Sequence, residues 1–251
     1  MNATKLAIEK GYPERTELSG QYTSWDAAIP DSVQYGSPVT NNSVGHGTVV
    51  EKLQRKGLDV RTEKEIIDLS RMSYSDVVIH YGSDFAEQLQ DLRCPLGRTG
   101  LNGVGIFYEA GESLASDMVV VHTDERSVWV PLVFNRTRWN TPGGFKDLSD
   151  TNGEETAVRE FSEEVGYDIS SHIIPVIQEV KSSDRTTDHG WMKVEVYATR
   201  AESKFTLTAG DDAEKAMWAP LELLPNLVRN NELSQTKLDY IKNAVKLLDI
   251  N

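Results

Sequence analysis

A mixed α/β chain is what the sequence predicts, and three observations carry the prediction. Apolar, strand-like runs at Met118–Val121 and Val128–Phe134 precede one amphipathic helical stretch. Strand-like runs at Ile173–Val180 and Trp191–Thr199 follow it. The first hundred or so residues are irregular and loop-rich, which predicts an N-terminal α+β lobe over residues 1–115 ahead of a main domain over residues 116–251.

In chain order, Gly11 to Gly47 holds Pro13, Pro30 and Pro38 among many Ser, Thr and Asn, so loops and short strands are expected there. The spacing of Ile66, Ile67 and Leu69, then of Phe85, Leu89 and Leu92, predicts short helices over Glu63–Arg71 and Asp84–Leu92. Val77–Ile79 between them reads as a short strand, and Pro95 closes the region. A glycine-dense segment, Gly97 to Gly105, comes next. The two apolar runs beyond it are joined by the charged turn Thr123–Arg126, and Arg136 to Gly144 is a turn-rich loop. After the central helix, Met192, Val194, Val196 and Ala198 alternate with Lys193, Glu195 and Tyr197, a strand with one buried face. Leu221–Leu227 and Leu238–Leu248 read as helices.

Composition narrows the function. The chain has 251 residues and a net charge of −13, so charge alone argues against a nucleic-acid partner. An anionic substrate then needs local cations or a metal to hold it. No run approaches the roughly 20 apolar residues of a membrane span, and Met1–Lys10 lacks the apolar core of a secretory signal, so a cytoplasmic protein is expected. The single cysteine, Cys94, excludes an internal disulfide and a cysteine-based zinc site. Oligomeric state is left open.

The chemistry concentrates in one helix. Thr151 followed by Glu154 is a capping-box pattern that places the start near Asn152, and Gly166 is placed to end the helix in a left-handed conformation. Ala157, Phe161 and Val165, with Val158 beside them, make its apolar face. Glu160, Glu163 and Glu164 stand at i, i+3 and i+4, so their carboxylates crowd one side, with Arg159 placed to brace one of them. Like charges so placed cost about 0.2–0.5 kcal/mol per pair. Oxygen donors around one point suit a hard cation, Mg²⁺ or Mn²⁺.

Pro142-Gly143-Gly144 upstream, with Arg159-Glu160-Phe161-Ser162-Glu163-Glu164-Val165-Gly166-Tyr167, resembles the Nudix hydrolase box. The second stretch matches the family's R-E-U-x-E-E-x-G-U at every position. The family writes five residues between its Gly and a Glu, and seven between that Glu and the Arg. Here Thr151 stands at the Glu position, and the loop from Gly144 is one residue longer. The resemblance implies an α/β/α sandwich with a mixed sheet. It also implies a metal held by Glu160, Glu163 and Glu164, with the Gly144 carbonyl as an extra ligand.

Three further segments resemble the ADP-ribose pyrophosphatase branch and the related C-terminal domain of the ADP-ribose-gated melastatin TRP channel. They are Gly97-Arg98-Thr99-Gly100-Leu101 with Gly103, Gly105, Ala115 and Asp117; Asp184 to Met192; and Ala209-Gly210-Asp211-Asp212-Ala213 with Trp218. The Tyr12-Pro13 opening extends the likeness. It implies hydrolysis of ADP-ribose to AMP and ribose 5-phosphate, with Arg185, Arg98 and Asp188 meeting the substrate. The base is Glu160, Glu164, Asp211 or Asp212. Ser234 and Lys237 fall where the channel's domain has ligand-contacting Tyr and His. His189 reads as a loop histidine, and Trp191 and Trp218 as packing residues. Two other readings stay open: a domain that binds ADP-ribose without turnover, favoured by Thr151 and the long loop, and a hydrolase for another nucleoside diphosphate compound.

Overall fold

The computed structural model describes residues 15–35, 47–169, 172–181, 183 and 185–250. Tyr12, Pro13, Pro38 and Asp184 of the sequence reading lie outside these residues. The chain divides into two compact units: Met1–Ser113 with Val180–Lys193, and Leu114–Glu179 with Val194–Asn251.

The first unit is helical: the helices expected over Glu63–Arg71 and Asp84–Leu92 are present, and others stand where loops and a short strand were expected. Its helices are α1 (Gly20–Thr23), α2 (Val49–Arg55), α3 (Glu63–Arg71), α4 (Tyr74–Tyr81) and α5 (Ser83–Asp91). Local caps start most of them: Thr48 with Glu51 and Ser73 with Asp76 form capping boxes, and Thr62 accepts from the Glu65 N–H. The Ser73 box is the reason Val77–Ile79 is helix and not strand. On that helix Val77 is buried while Ile79 points outward, which three consecutive apolar residues in a short strand would not require. Leu53, Leu58, Ile66, Leu69, Val77 and Leu89 centre the core of this unit.

The second unit is built on a seven-stranded sheet of β1 (Gly111–Thr123), β2 (Val128–Asn135), β3 (Arg138–Asn140), β4 (Gly143–Phe145), β5 (Ile174–Lys181), β6 (Gly190–Arg200) and β7 (Lys215–Pro220). The order is β3-β2-β1-β6-β5, with β4 also on β1 and β7 on β2. All four strand runs of the sequence reading are therefore strands. Helix α6 (Gly153–Val165) buries Ala157, Phe161 and Val165 against Met118, Val120, Val133 and Tyr197. Gly166, at φ 68°, ends it in the left-handed conformation. Its start differs from the expected cap by one residue. The Asn152 side chain accepts from the Glu155 N–H (2.9 Å), and the Glu155 carboxylate accepts from the Thr151 N–H (2.7 Å). Asn is as good an N-cap as Thr, and shifting the cap by one lets Glu155 close the turn. The chain ends with a 3₁₀ turn (Leu221–Leu223), α7 (Leu224–Arg229) and α8 (Gln235–Leu247). Among the described residues no helix is long and apolar enough to cross a membrane.

Candidate active site

Helix α6 sets the acids by its period. Glu164, one residue before the buried Val165, is carried inward and is buried; Glu160 is half-buried; Glu163, on the outer edge, is exposed. Arg159 stands among them. Its Nη1 donates to Glu160 Oε1 (2.9 Å) and Glu163 Oε2 (2.8 Å), and its Nη2 donates to the Phe145 carbonyl (3.0 Å). The sequence reading gave Arg159 one carboxylate to brace; the structure gives it three.

The third is Asp150. Arg159 Nε and Nη2 donate to its two oxygens at 2.9–3.2 Å, Thr156 Oγ1 donates at 3.1 Å, and the Asp147 N–H donates at 2.9 Å. These donors, the guanidinium first, hold the Asp150 carboxyl down to about 2. Counting from Gly144, five residues precede Asp150. The acid that seemed replaced by Thr151 is therefore supplied one position earlier. The extra residue falls between Asp150 and the helix, where the Thr151–Asn152 cap absorbs it. Counting only from Arg159 lands on Thr151 and misses this; counting from Gly144 as well would have found it.

Glu164 is tied to the Gly143–Gly144 segment. Its Oε2 accepts from the Gly143 N–H (2.7 Å) and its Oε1 from Asn135 Nδ2 (3.1 Å). Burial pushes its carboxyl up to about 7, against those two hydrogen bonds, and Asp212 and Glu160 add to the rise. Asn135 Nδ2 also donates to Asp212 Oδ1 (3.0 Å). Glu160 is likewise raised, chiefly by burial, with Glu163 and Asp211 contributing. Asp211 lies in the left-handed region at φ 49°. Asp211 and Asp212 are exposed, and their charges act on Glu160 and Glu164 respectively.

This donor set fits a hard divalent cation. Among the described residues five carboxylates, Glu160, Glu163, Glu164, Asp211 and Asp212, act on one another here, and Arg159 is the guanidinium bonded to two of them. A cradle is present as well: a Cβ on Gly144 would lie 2.6–2.7 Å from the Glu160 carboxyl, so Gly144 lets that carboxylate rest against the backbone. Among the described residues no three acidic, His or Cys side chains already stand in ligating geometry. Arg159 draws Glu160 and Glu163 to itself, and Glu164 turns to Asn135 and Gly143. Glu160, Glu163 and Glu164, with Gly144, are the residues that would hold the ion.

Of the remaining expected residues, Arg98, Arg185, Asp188, His189 and Trp191 lie in the first unit. Asp188 is fully buried, accepting from the Thr99 N–H (2.9 Å), Thr99 Oγ1 (3.1 Å) and the Tyr35 hydroxyl. Arg98 is buried too, donating to the carbonyls of Ser70, Met72, Tyr22 and Ser24, and it lies 4.7 Å from the Trp25 ring centroid. Both side chains are committed to contacts inside that unit, an outcome that sequence spacing does not reveal. Arg185 is exposed. His189 is a buried histidine bonded to Ser70 and the Leu92 carbonyl. Trp191 is buried, and Trp218 donates to the Phe205 carbonyl, so both pack as expected. In the second unit Ser234 caps α8, and Lys237 Nζ reaches Asp117 at 2.5 Å.

Known proteins place this arrangement. The family model described as the NUDIX domain matches residues 113–239, just over half of the chain. A Caenorhabditis elegans protein named as a nudix hydrolase, number 6, is 30% identical over 141 residues, covering 49% of this chain and 54% of that protein. The chain thus spans about half the length of that curated relative. Among solved structures, the NUDIX domain of Shewanella oneidensis NrtR complexed with ADP ribose has a TM-score of 0.47 at 20% identity, covering 55% of this chain and 89% of that one. A C. elegans Ap4A hydrolase binary complex has a TM-score of 0.41 at 12% identity, covering 54% and 97%. With the family model spanning the sheet, the glutamate helix and its Gly143–Gly144 loop, the chain belongs to the Nudix hydrolase family.

Proposed function

We propose that this chain hydrolyses the diphosphate of ADP-ribose to AMP and ribose 5-phosphate, with Mg²⁺ or Mn²⁺. The observation that carries the reading is Asp150. It puts an acid, Asp in place of the family's Glu, five residues after Gly144, and that acid braces Arg159. The sensor reading rested on Thr151 and the longer loop; Asp150 answers the first, and the extra residue stays in the cap at Thr151–Asn152. The choice of ADP-ribose rests on the Gly97–Gly105, Asp184–Met192 and Ala209–Trp218 segments that resemble the pyrophosphatase branch.

Glu160, Glu163 and Glu164 would hold the ion. When bound, it offsets the charge of the diphosphate and makes a water more acidic. The chain supplies the rest. Arg159 keeps Glu160 and Glu163 together from one side, and the Gly143 N–H and Asn135 keep Glu164 from turning. Water attacks one phosphorus, the P–O–P bridge breaks, and the water proton passes to a carboxylate of the cluster: Glu160, Glu164, Asp211 or Asp212. The resemblance alone assigns Arg185, an exposed residue, to the substrate's charge.

The test is incubation of the purified chain with ADP-ribose and Mg²⁺, with products separated by ion exchange. AMP plus ribose 5-phosphate, abolished by EDTA, is the expected result. Calorimetric binding without products would return the sensor reading. Turnover of a different nucleoside diphosphate compound alone would move the substrate and leave the hydrolase.

A further inference from the structure

We infer that Asn135 is a positioning residue of the metal site, its side-chain amide holding the helix carboxylate Glu164 and the late-loop carboxylate Asp212 in one arrangement for cation binding. This rests on the hydrolase reading above.

Asn135 is the last residue of β2, in register with Arg138 of β3 across a turn in which Arg136 takes a left-handed φ of 57°. The frame beneath the amide is therefore fixed by the sheet. A carboxamide nitrogen carries two hydrogens. Here one goes to Glu164 Oε1 at 3.1 Å and the other to Asp212 Oδ1 at 3.0 Å. A neutral double donor between two acids attracts both without adding charge, whereas a lysine there would take a cation's place.

The other end of the amide shows what its orientation serves. Asn135 Oδ1 is buried with no hydrogen-bond partner among the described residues, an unfavourable state for an amide oxygen. Turning the amide over would set that oxygen against two carboxylates, so the acids decide which end faces them. The late loop does not need this contact to dock. Thr208 N–H donates to the Val165 carbonyl (2.9 Å), Gly210 N–H to the Glu164 carbonyl (3.2 Å), and Glu214 N–H to the Phe134 carbonyl (2.9 Å). The bridge from Asn135 thus acts on the carboxylates while the backbone holds the loop.

The experiment measures Mn²⁺ binding to the full chain, without substrate, by the loss of the free-ion EPR signal. Asn135→Leu, close in volume and without a donor, and Asn135→Ala should each bind Mn²⁺ roughly 10–100-fold more weakly, as residues behind metal ligands do. Far-UV circular dichroism should match wild type. In turnover, kcat should fall with KM within about twofold. Asp212→Asn and the double variant with Asn135→Ala should be non-additive, because the two share one contact. Wild-type Mn²⁺ affinity in whichever Asn135 variant folds would overturn the inference and leave the metal site standing. Absence of Mn²⁺ binding in wild type would overturn the metal-site reading and this inference with it.

Discussion

Replacing Asp150 with Asn removes one charge from the front of the site while keeping its shape. The Asp150 side chain is only 6% exposed and that of Arg159 24%. Breaking a buried ion pair from one side costs about 3–5 kcal/mol. Arg159 keeps Glu160, Glu163 and the Phe145 carbonyl, and it is partly solvated, so the expected loss is smaller, roughly 2 kcal/mol. A second route agrees. A carboxyl held down to about 2 from an ordinary value near ~3.9 is worth about 2–3 kcal/mol, at 1.36 kcal/mol per pH unit. The sign follows from the lowered value. The stability is fully present above the unfolded group's pKa, near ~4, and is lost as pH falls through the folded value near 2. Urea unfolding of wild type and Asp150→Asn at pH 7 should differ by about 2 kcal/mol. The gap should narrow sharply toward pH 2, where about half of the wild-type carboxyl is neutral. A gap below about 0.5 kcal/mol at pH 7, or one equally large at both pH values, would refute the assignment of Asp150 as the acid that braces Arg159.

Glu163→Gln and Glu164→Gln should each lower turnover with Mg²⁺ by orders of magnitude; full activity in either would remove that residue from the ligand set. Gly144→Ala places a Cβ against the Glu160 carboxyl, the far end of a side chain that can turn aside, so its unfolding midpoint should stay near wild type while kcat drops, and an unchanged kcat would detach Glu160 from the chemistry. Gly153→Ala should destabilise by about 1–3 kcal/mol, although Ala is normally the better helix residue. The new methyl would lie 2.0 Å from Glu195 Oε2 and 2.9 Å from Ser116 Oγ, both buried. A raised Tm would show that this packing yields.

Periodicity and short-range spacing carried much of this protein. The strand runs, the apolar face of α6 and its left-handed Gly166 stop are local consequences of residue order, because neighbours three or four apart on a helix, or two apart on a strand, must share a face. Glu160, Glu163 and Glu164 were legible for the same reason. Only the tertiary structure decided the rest. Val77–Ile79 became helix because a cap at Ser73 and Asp76 outweighed three apolar residues in a row. Asp150 is a position that a count from Gly144 offers, but its pairing with Arg159, nine residues away, is made by the fold, which closes carboxylate and guanidinium to 2.9–3.2 Å. Asn135 came to Glu164 and Asp212 from another strand. Arg98 and Asp188, polar and promising in sequence, were turned inward, since burial is a property of packing that a residue's type and spacing do not contain.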